Sequence, residues 1–415
     1  MKTFSRFSAV FLIAATAVLG FAPPTTHSDR IPDQVIPLAN SADDPLPLAP
    51  FAEKGLDWLA AAQASNGGWG AGSHSRQDIT DPDAVEVDLA TSAFAALALV
   101  RAGSTLKVGP YRDNIRRALD HILAAVEAAP DGDAPITNIQ GTQPQAKLGQ
   151  NIDASMAAQF LTQMLSQTKN DARLHRRVAV AVDKCLSKLA GAQQADGSWN
   201  NGGWAPVLQS AMANSAFEMA SNAGREVDQE LMDRSRDYQA KNVGADGDVR
   251  TEAAAGIGLY AIASSQRALA PEVNVIRERV RAAKASGALP AGAEVTEASL
   301  VAIGFGAAEA KKSADTFRRY DHATELLASD EVLSGFGNNG GEEFLSYMMT
   351  AESIATASGP EWKAWHAKMS NRLERVQNAD GSWSGHHCIT SPVFSTAAVL
   401  MTLTADRGLE LVQSS

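Results

Sequence analysis

From about residue 51 onward, apolar positions fall at helical spacing along almost the whole chain. In "FAEKGLDWLAAAQ" (51–63), Phe51, Leu56, Trp58, Leu59 and Ala62 lie near one side of a helix. "VDLATSAFAALALV" (87–100) is apolar all round, as a buried helix is. The two kinds alternate. "YRDNIRRALDHILAAVEAA" and "DARLHRRVAVAVDKCLSKLAGAQ" carry charge on one side, whereas "NIDASMAAQFLTQML", "TEAAAGIGLYAIA", "TEASLVAIGFGAA" and "STAAVLMTL" hold small, uncharged residues after their first turn. The spacing predicts about seven such pairs, with buried helices starting near 87, 151, 208, 250, 296, 342 and 394. An amphipathic helix followed by an apolar one, repeated, implies two concentric layers. Short connections make neighbours antiparallel.

Between the layers a motif recurs. "QASNGGW" (63–69), "QQADGSW" (193–199) and "QNADGSW" (377–383) all fit Q-x-x-[ND]-G-[GS]-W. Gly67, Gly197 and Gly381 can take the left-handed backbone that ends a helix. Asn66, Asp196 and Asp380 suit a turn by bonding their own backbone. Gln63, Gln193 and Gln377 can satisfy backbone groups at a helix end, and Trp69, Trp199 and Trp383 can cover the joint between outer and inner helices. Its first reading is a structural corner.

The same residues carry a resemblance. Q-x-x-D-G-S-W is the QW repeat signature of the terpenoid cyclase and protein prenyltransferase superfamily. Residues 358–407 also look like the closing part of exported bacterial proteins of this group. The resemblance covers about 51–411. It implies an all-α fold, an α/α toroid with inner helices around a central pocket. It names no reaction, because one fold carries many functions.

Composition narrows the partners. The chain has 415 residues and a formal net charge of −11, with no basic patch to follow a phosphate backbone, so nucleic acid is excluded as a partner. Lys2 and Arg6 precede an apolar run at 7–22, which reads as an export signal spanning 1–22. Pro23 directly after it disfavours cleavage, so an uncleaved N-terminal anchor is the alternative, and any membrane contact would run through it. Seven prolines make 23–50 a linker. The expected location is exported, periplasmic or secreted. Only Cys185 and Cys388 occur, too few for a disulfide framework.

Several chemistries lack their residues. Cyclases of the squalene type use a D-x-D-D cluster, which is absent, and the predicted inner helices are poor in aromatic faces. Prenyltransferases bind zinc through an Asp-x-Cys pair. The one here, Asp183-Lys184-Cys185, lies mid-helix, where residues two apart diverge by about 200°. "GFGNNG" (335–340) matches G-x-G-x-x-G but follows a helix, not a strand.

Two constellations remain. Carboxylates recur at the starts of the predicted inner helices: Asp88, Asp153, Glu252, Glu297, Glu342 and Glu343. Helix dipoles explain acids there. If inner helices run parallel, these acids also rim one mouth of the pocket and attract a cation, a basic peptide or a metal. The second is "GHHCITS" (385–391), which follows the last corner. His386, His387 and Cys388 put three ligand types within three residues, and ring closure would bring Glu342 and Glu343 near. His387 and Cys388 with a carboxylate suit a divalent metal, the only cofactor the donors suggest. His386 or His387, Glu343, Asp88 and Asp153 are the catalytic candidates. Against these stand a plain loop with Cys388 buried, and a Cys185–Cys388 disulfide. The function expected is a binding or scaffold module for a peptide, glycan or lipid. The alternative is an enzyme, either a cyclase-like isomerase or a polysaccharide lyase, since some lyases are α/α toroids. A lyase base is hard to place, Arg250 being the only basic residue at an inner-helix start.

Overall fold

A computed structural model describes residues 45–407, apart from 133–134, 201, 338 and 358. The expected leader, most of the linker and residues 408–411 lie outside the described residues.

The described chain is helical, with no strand among its described residues. In order it forms α1 (Pro50–Ala61), α2 (Leu89–Arg101), α3 (Arg112–Ala128), α4 (Gln143–Leu148), α5 (Ile152–Thr168), α6 (Ala172–Ala192), α7 (Pro206–Asn222), α8 (Gln229–Ala240), α9 (Gly258–Ala285), α10 (Glu297–Ala302), α11 (Ala307–Leu326), α12 (Asp330–Leu333), α13 (Gly341–Thr356), α14 (Trp362–Arg375) and α15 (Pro392–Leu403). Burial separates the layers. Every residue of α2, α13 and α15 is buried. In α3 only one stripe is: Ile115, Ala118, Leu119, Ile122, Leu123 and Val126, at the spacing of one helix face.

The buried helices close a ring. α2 packs on α5, α5 on α7, α7 on α9, α9 on α13, α13 on α15, and α15 back on α2. Phe94 of α2 meets Phe394 of α15 at the closure, centroids 5.0 Å apart. Helices α1, α3, α6, α8, α11 and α14 lie outside them. The fold is an α/α toroid, and among the described residues its inner ring has six helices rather than about seven.

The segment near 296 is the difference. It forms only the six-residue α10, stopped by Gly304 at φ 96°. Its apolar residues serve a satellite core instead. Leu300 and Phe305 pack with Ile276 and Val280 of α9 and with Ala310 and Ala314 of α11. The inner helix expected near 250 starts later, at Gly258, after a turn in which Ala255 is left-handed (φ 52°).

The three QW segments build one hydrogen-bonded corner three times. Trp69, Trp199 and Trp383 donate their indole N–H to the carbonyls of Leu59, Leu189 and Leu373, each at 2.8 Å, in the preceding outer helix. Their backbone N–H groups donate to Ser92, Ser210 and Thr396 of the following inner helix. The Gln amides reach further, to the carbonyls of Asn114, Leu231 and Phe51 in the next outer helix. Gly197 has φ 89°, and a Cβ there would stand 2.2 Å from the Arg234 carbonyl oxygen, so the position requires glycine twice over.

Candidate functional site

Asp88, Asp153, Glu342 and Glu343 all gather where inner helices begin, and all are buried. The first two act as ties. Asp88 caps α2, accepting from the N–H groups of Thr91 and Ala71, both at 2.8 Å. Asp153 of α5 accepts from the Ala90 N–H at 3.2 Å and from Gln145 Nε2 at 2.7 Å, joining two neighbouring helix starts. Burial raises Asp88 to about 6. Burial, with the Asp88 charge behind it, raises Asp153 to about 7. Glu252 is exposed on the turn before α9, and Glu297 is exposed on α10, outside the inner ring. Arg250 is likewise exposed.

Glu342 and Glu343 occupy the first turn of α13 and meet the loop at 385–391. That loop is pinned at several points. His386 N–H donates to the Asn339 carbonyl at 2.8 Å, Gly341 N–H to the Ile389 carbonyl at 3.0 Å, and Thr390 N–H to Gln143 Oε1 at 2.7 Å. Its Thr390 hydroxyl donates to the Gln77 carbonyl at 2.8 Å, so the segments preceding α2, α5, α13 and α15 converge on one mouth. His386 itself points outward and is exposed, whereas His387 and Cys388 are half-buried.

Within this mouth Glu343 is the best-held group. Its Oε1 accepts from Tyr260 Oη at 2.5 Å and from Phe336 N–H at 3.1 Å, and its Oε2 accepts from Gly340 N–H at 2.8 Å. His387 Nε2 stands 3.6 Å from Oε2. The backbone amides of "GFGNNG" are thus directed at a carboxylate, which accounts for its glycines without a phosphate. Glu342 accepts from the Ile389 N–H at 3.4 Å. Burial first, and then the Glu343 charge, push its carboxyl up to about 7, against the pull of Lys147. Burial and Glu342 push the Cys388 thiol to about 12. Burial and the two glutamates also raise Tyr260.

The rim is aromatic. Trp204 is 42% exposed and Phe336 55%, and they meet edge-on with centroids 6.0 Å apart. Lys147 Nζ lies 4.1 Å from the Trp204 ring centroid, and the His387 ring is 5.2 Å from Phe336. The sequence reading did not single out Lys147, Trp204, Phe336 or Tyr260 for the site. The nearest signal was "TQPQAK" (142–147), whose capping box between Thr142 and Gln145 sets α4 and with it Lys147.

The remaining candidates separate. Cys185 is fully buried, its thiol pushed to about 12, and it is free, as is Cys388, so no disulfide joins them. Asp183 faces outward and pairs with Arg225, which takes it away from any metal role with Cys185.

No protein-family model matches the chain, and no curated protein matches its sequence. Solved structures do resemble it. One is an inactive variant of the α-1,6-mannanase GH76A of Salegentibacter sp. HEL1_6 in complex with α-1,6-mannotriose, 12% identical over 86% of this chain and 98% of that one, TM-score 0.49. Another inactive variant of the same mannanase, in complex with α-1,6-mannotetrose, is 11% identical over 87% of this chain and 100% of that one, TM-score 0.51. At that identity the likeness establishes the α/α toroid fold.

Proposed function

We propose that this is an exported toroid of the QW-repeat kind, related to the terpenoid cyclase and prenyltransferase toroids, that binds and cleaves a neutral glycan at the mouth where its inner helices begin. The basic and apolar leader supports export, and the three corners support the relation. The observation that carries the glycan reading is the rim. Two exposed aromatic rings stand beside an ammonium and above buried carboxylates. Aromatic faces take the apolar face of a sugar, and polar groups placed beside them take its hydroxyls. A uronate polymer fits less well, because Lys147 already faces Glu342 and Cys388 while Glu343 lies alongside. That favours hydrolysis over the elimination a lyase performs. Tyr260 donates to Glu343 at 2.5 Å and fixes it as the carboxylate placed to serve as general acid or base.

The mannanase that shares the fold was captured with α-1,6-mannotetrose, which makes α-1,6-mannan the first glycan to offer. The test is a panel of neutral and uronate polysaccharides, read by reducing-end release and by ultraviolet absorption of unsaturated products. Reducing ends from a neutral glycan are expected. Trp204→Ala and Phe336→Ala should each weaken binding roughly 2- to 10-fold. Glu343→Gln should lower cleavage by about 10²–10⁴ while binding persists. A protein that binds no neutral glycan, or that forms unsaturated uronates, would overturn the reading.

A further inference from the structure

The glycan reading leaves Glu342 and Cys388 without a role, yet they meet His387 in a mixed donor cluster. A carboxylate oxygen of Glu342, a ring nitrogen of His387 and Cys388 Sγ all lie within 4.8 Å of one another. The geometry points to a transition-metal site of the zinc class, with these three side chains as ligands. Tetrahedral zinc at its usual bond lengths holds its ligand atoms ~3.3–3.8 Å apart, so small side-chain adjustments would close the set. One oxygen, one imidazole and one thiolate suit zinc better than calcium or magnesium, which take oxygen ligands. Three protein ligands leave a fourth position for water or a bound molecule.

The surroundings are built for it. Glu342 sits on the first turn of a fully buried helix, and the His387–Cys388 loop is pinned on both sides by backbone hydrogen bonds. Glu343 faces His387 Nε2 at 3.6 Å and is itself held by Tyr260, Phe336 and Gly340. A carboxylate behind a ligating imidazole orients the ring and raises its basicity. Lys147 is the competing cation, since its ammonium faces Glu342 and Cys388. The same ammonium lies over the Trp204 ring, 4.1 Å from the centroid. An arriving metal would leave it there. This site stands on its own donors, whether or not a glycan binds above it.

The experiment uses zinc and cobalt alone, with no glycan present. The full chain is purified without a histidine tag, stripped with a chelator, titrated with zinc against a chromophoric competitor, and loaded with cobalt(II) for absorption spectra. One zinc per chain and a thiolate-to-cobalt charge-transfer band are expected. Cys388→Ser should abolish that band. His387→Ala and Glu342→Gln should weaken zinc more than about tenfold, and Glu343→Gln about 10–100-fold through the imidazole. Lys147→Met should tighten binding, and exposed His386→Ala should leave it unchanged. Far-UV circular dichroism confirms that each variant folds. Two results on the wild type alone overturn the site whatever the variants do: no zinc uptake, or cobalt spectra lacking the thiolate band. Equal zinc affinity in folded Cys388→Ser and His387→Ala would do the same.

Discussion

Trp199 is fully buried, stacks near Phe217 with centroids 6.0 Å apart, and donates its indole N–H to the Leu189 carbonyl. Removing it opens a cavity and strands that carbonyl. Trp199→Ala should therefore cost about 3–5 kcal/mol in urea-unfolding stability. Trp199→Phe, which fills more of the space but lacks the N–H, should fall between. The Asp88–Asp153 pair makes a different residue-scale prediction. Burial raises both carboxyls above the ordinary value of 3.8, Asp88 to about 6 and Asp153 to about 7. Between roughly pH 4 and 7 the folded protein holds protons that the unfolded chain has released. The stability these groups contribute is full below the ordinary carboxyl range and is lost as pH rises through the folded values. Asp153→Asn carries no charge to bury, so its stability relative to wild type should improve from pH 5 to pH 8. Urea midpoints of both proteins at the two pH values check this, and an unchanged difference would contradict it. The acids were legible as residues at helix starts. That Asp153 would tie its helix to the start of α2 was not, because Asp153 and the Ala90 N–H are 63 residues apart.

At the scale of elements, the corner is the unit that repeats. Gly197→Ala tests it directly, because φ 89° is strained for an L side chain and the added methyl would meet the Arg234 carbonyl at 2.2 Å. A loss of at least about 1–3 kcal/mol is expected from the backbone strain alone. Tryptophan fluorescence during unfolding would report it, and a neutral result would mean that the corner relaxes freely. A fourth, degenerate corner lies at "VGADGDV" (243–249). Gly244 N–H bonds the Asp248 carbonyl at 2.8 Å, just as Gln194 N–H bonds that of Ser198, and Gly247 has φ 85°. Val243 and Val249 stand where Gln and Trp would be. "ADG" is its sequence signal, but without a tryptophan at 249 it does not fit the motif. The ring has six inner helices rather than about seven among the described residues for a related reason. An apolar run packs equally well into a satellite core, and periodicity does not say which core it joins.

At the scale of the molecule, the ring is held at its seam and across its inner helices. Gln377 Nε2 donates to the Phe51 carbonyl at 2.8 Å, joining the last corner to the first outer helix. Leu46 N–H donates to Asp406 Oδ2 at 2.9 Å beside it. In the later turns of the inner helices a chain of buried charges joins four of them. Arg101 of α2 meets Glu352 of α13 at 2.6 Å, Glu352 meets Arg267 of α9 at 3.3 Å, and Arg267 meets Glu218 of α7 at 2.8 Å. Opposing arginines hold Glu352 below the usual carboxylate range despite its burial. Glu352→Ala would take from the buried Arg101 the carboxylate it is paired with and leave the buried Arg267 with Glu218 alone. It should destabilise the protein by about 3–5 kcal/mol, measured as a lowered urea midpoint. A cost under about 1 kcal/mol would show that water already reaches those arginines.

The alternation of amphipathic and apolar helices, and the corner that joins them, could be read from the sequence alone. Both depend on local rules, 3.6-residue periodicity and the left-handed backbone of glycine, which act over a few residues. The loop at 385–391 could be named for its donors, as could the adjacent glutamates. Only the tertiary structure decided that His387 and Cys388 face Glu342 while His386 faces solvent, and that α4 delivers Lys147 to the same mouth. It also decided that Glu297 belongs to a satellite helix. These outcomes depend on which loops meet when six helices close a ring. That closure is set by the summed packing of the buried faces, a property of no single stretch of chain.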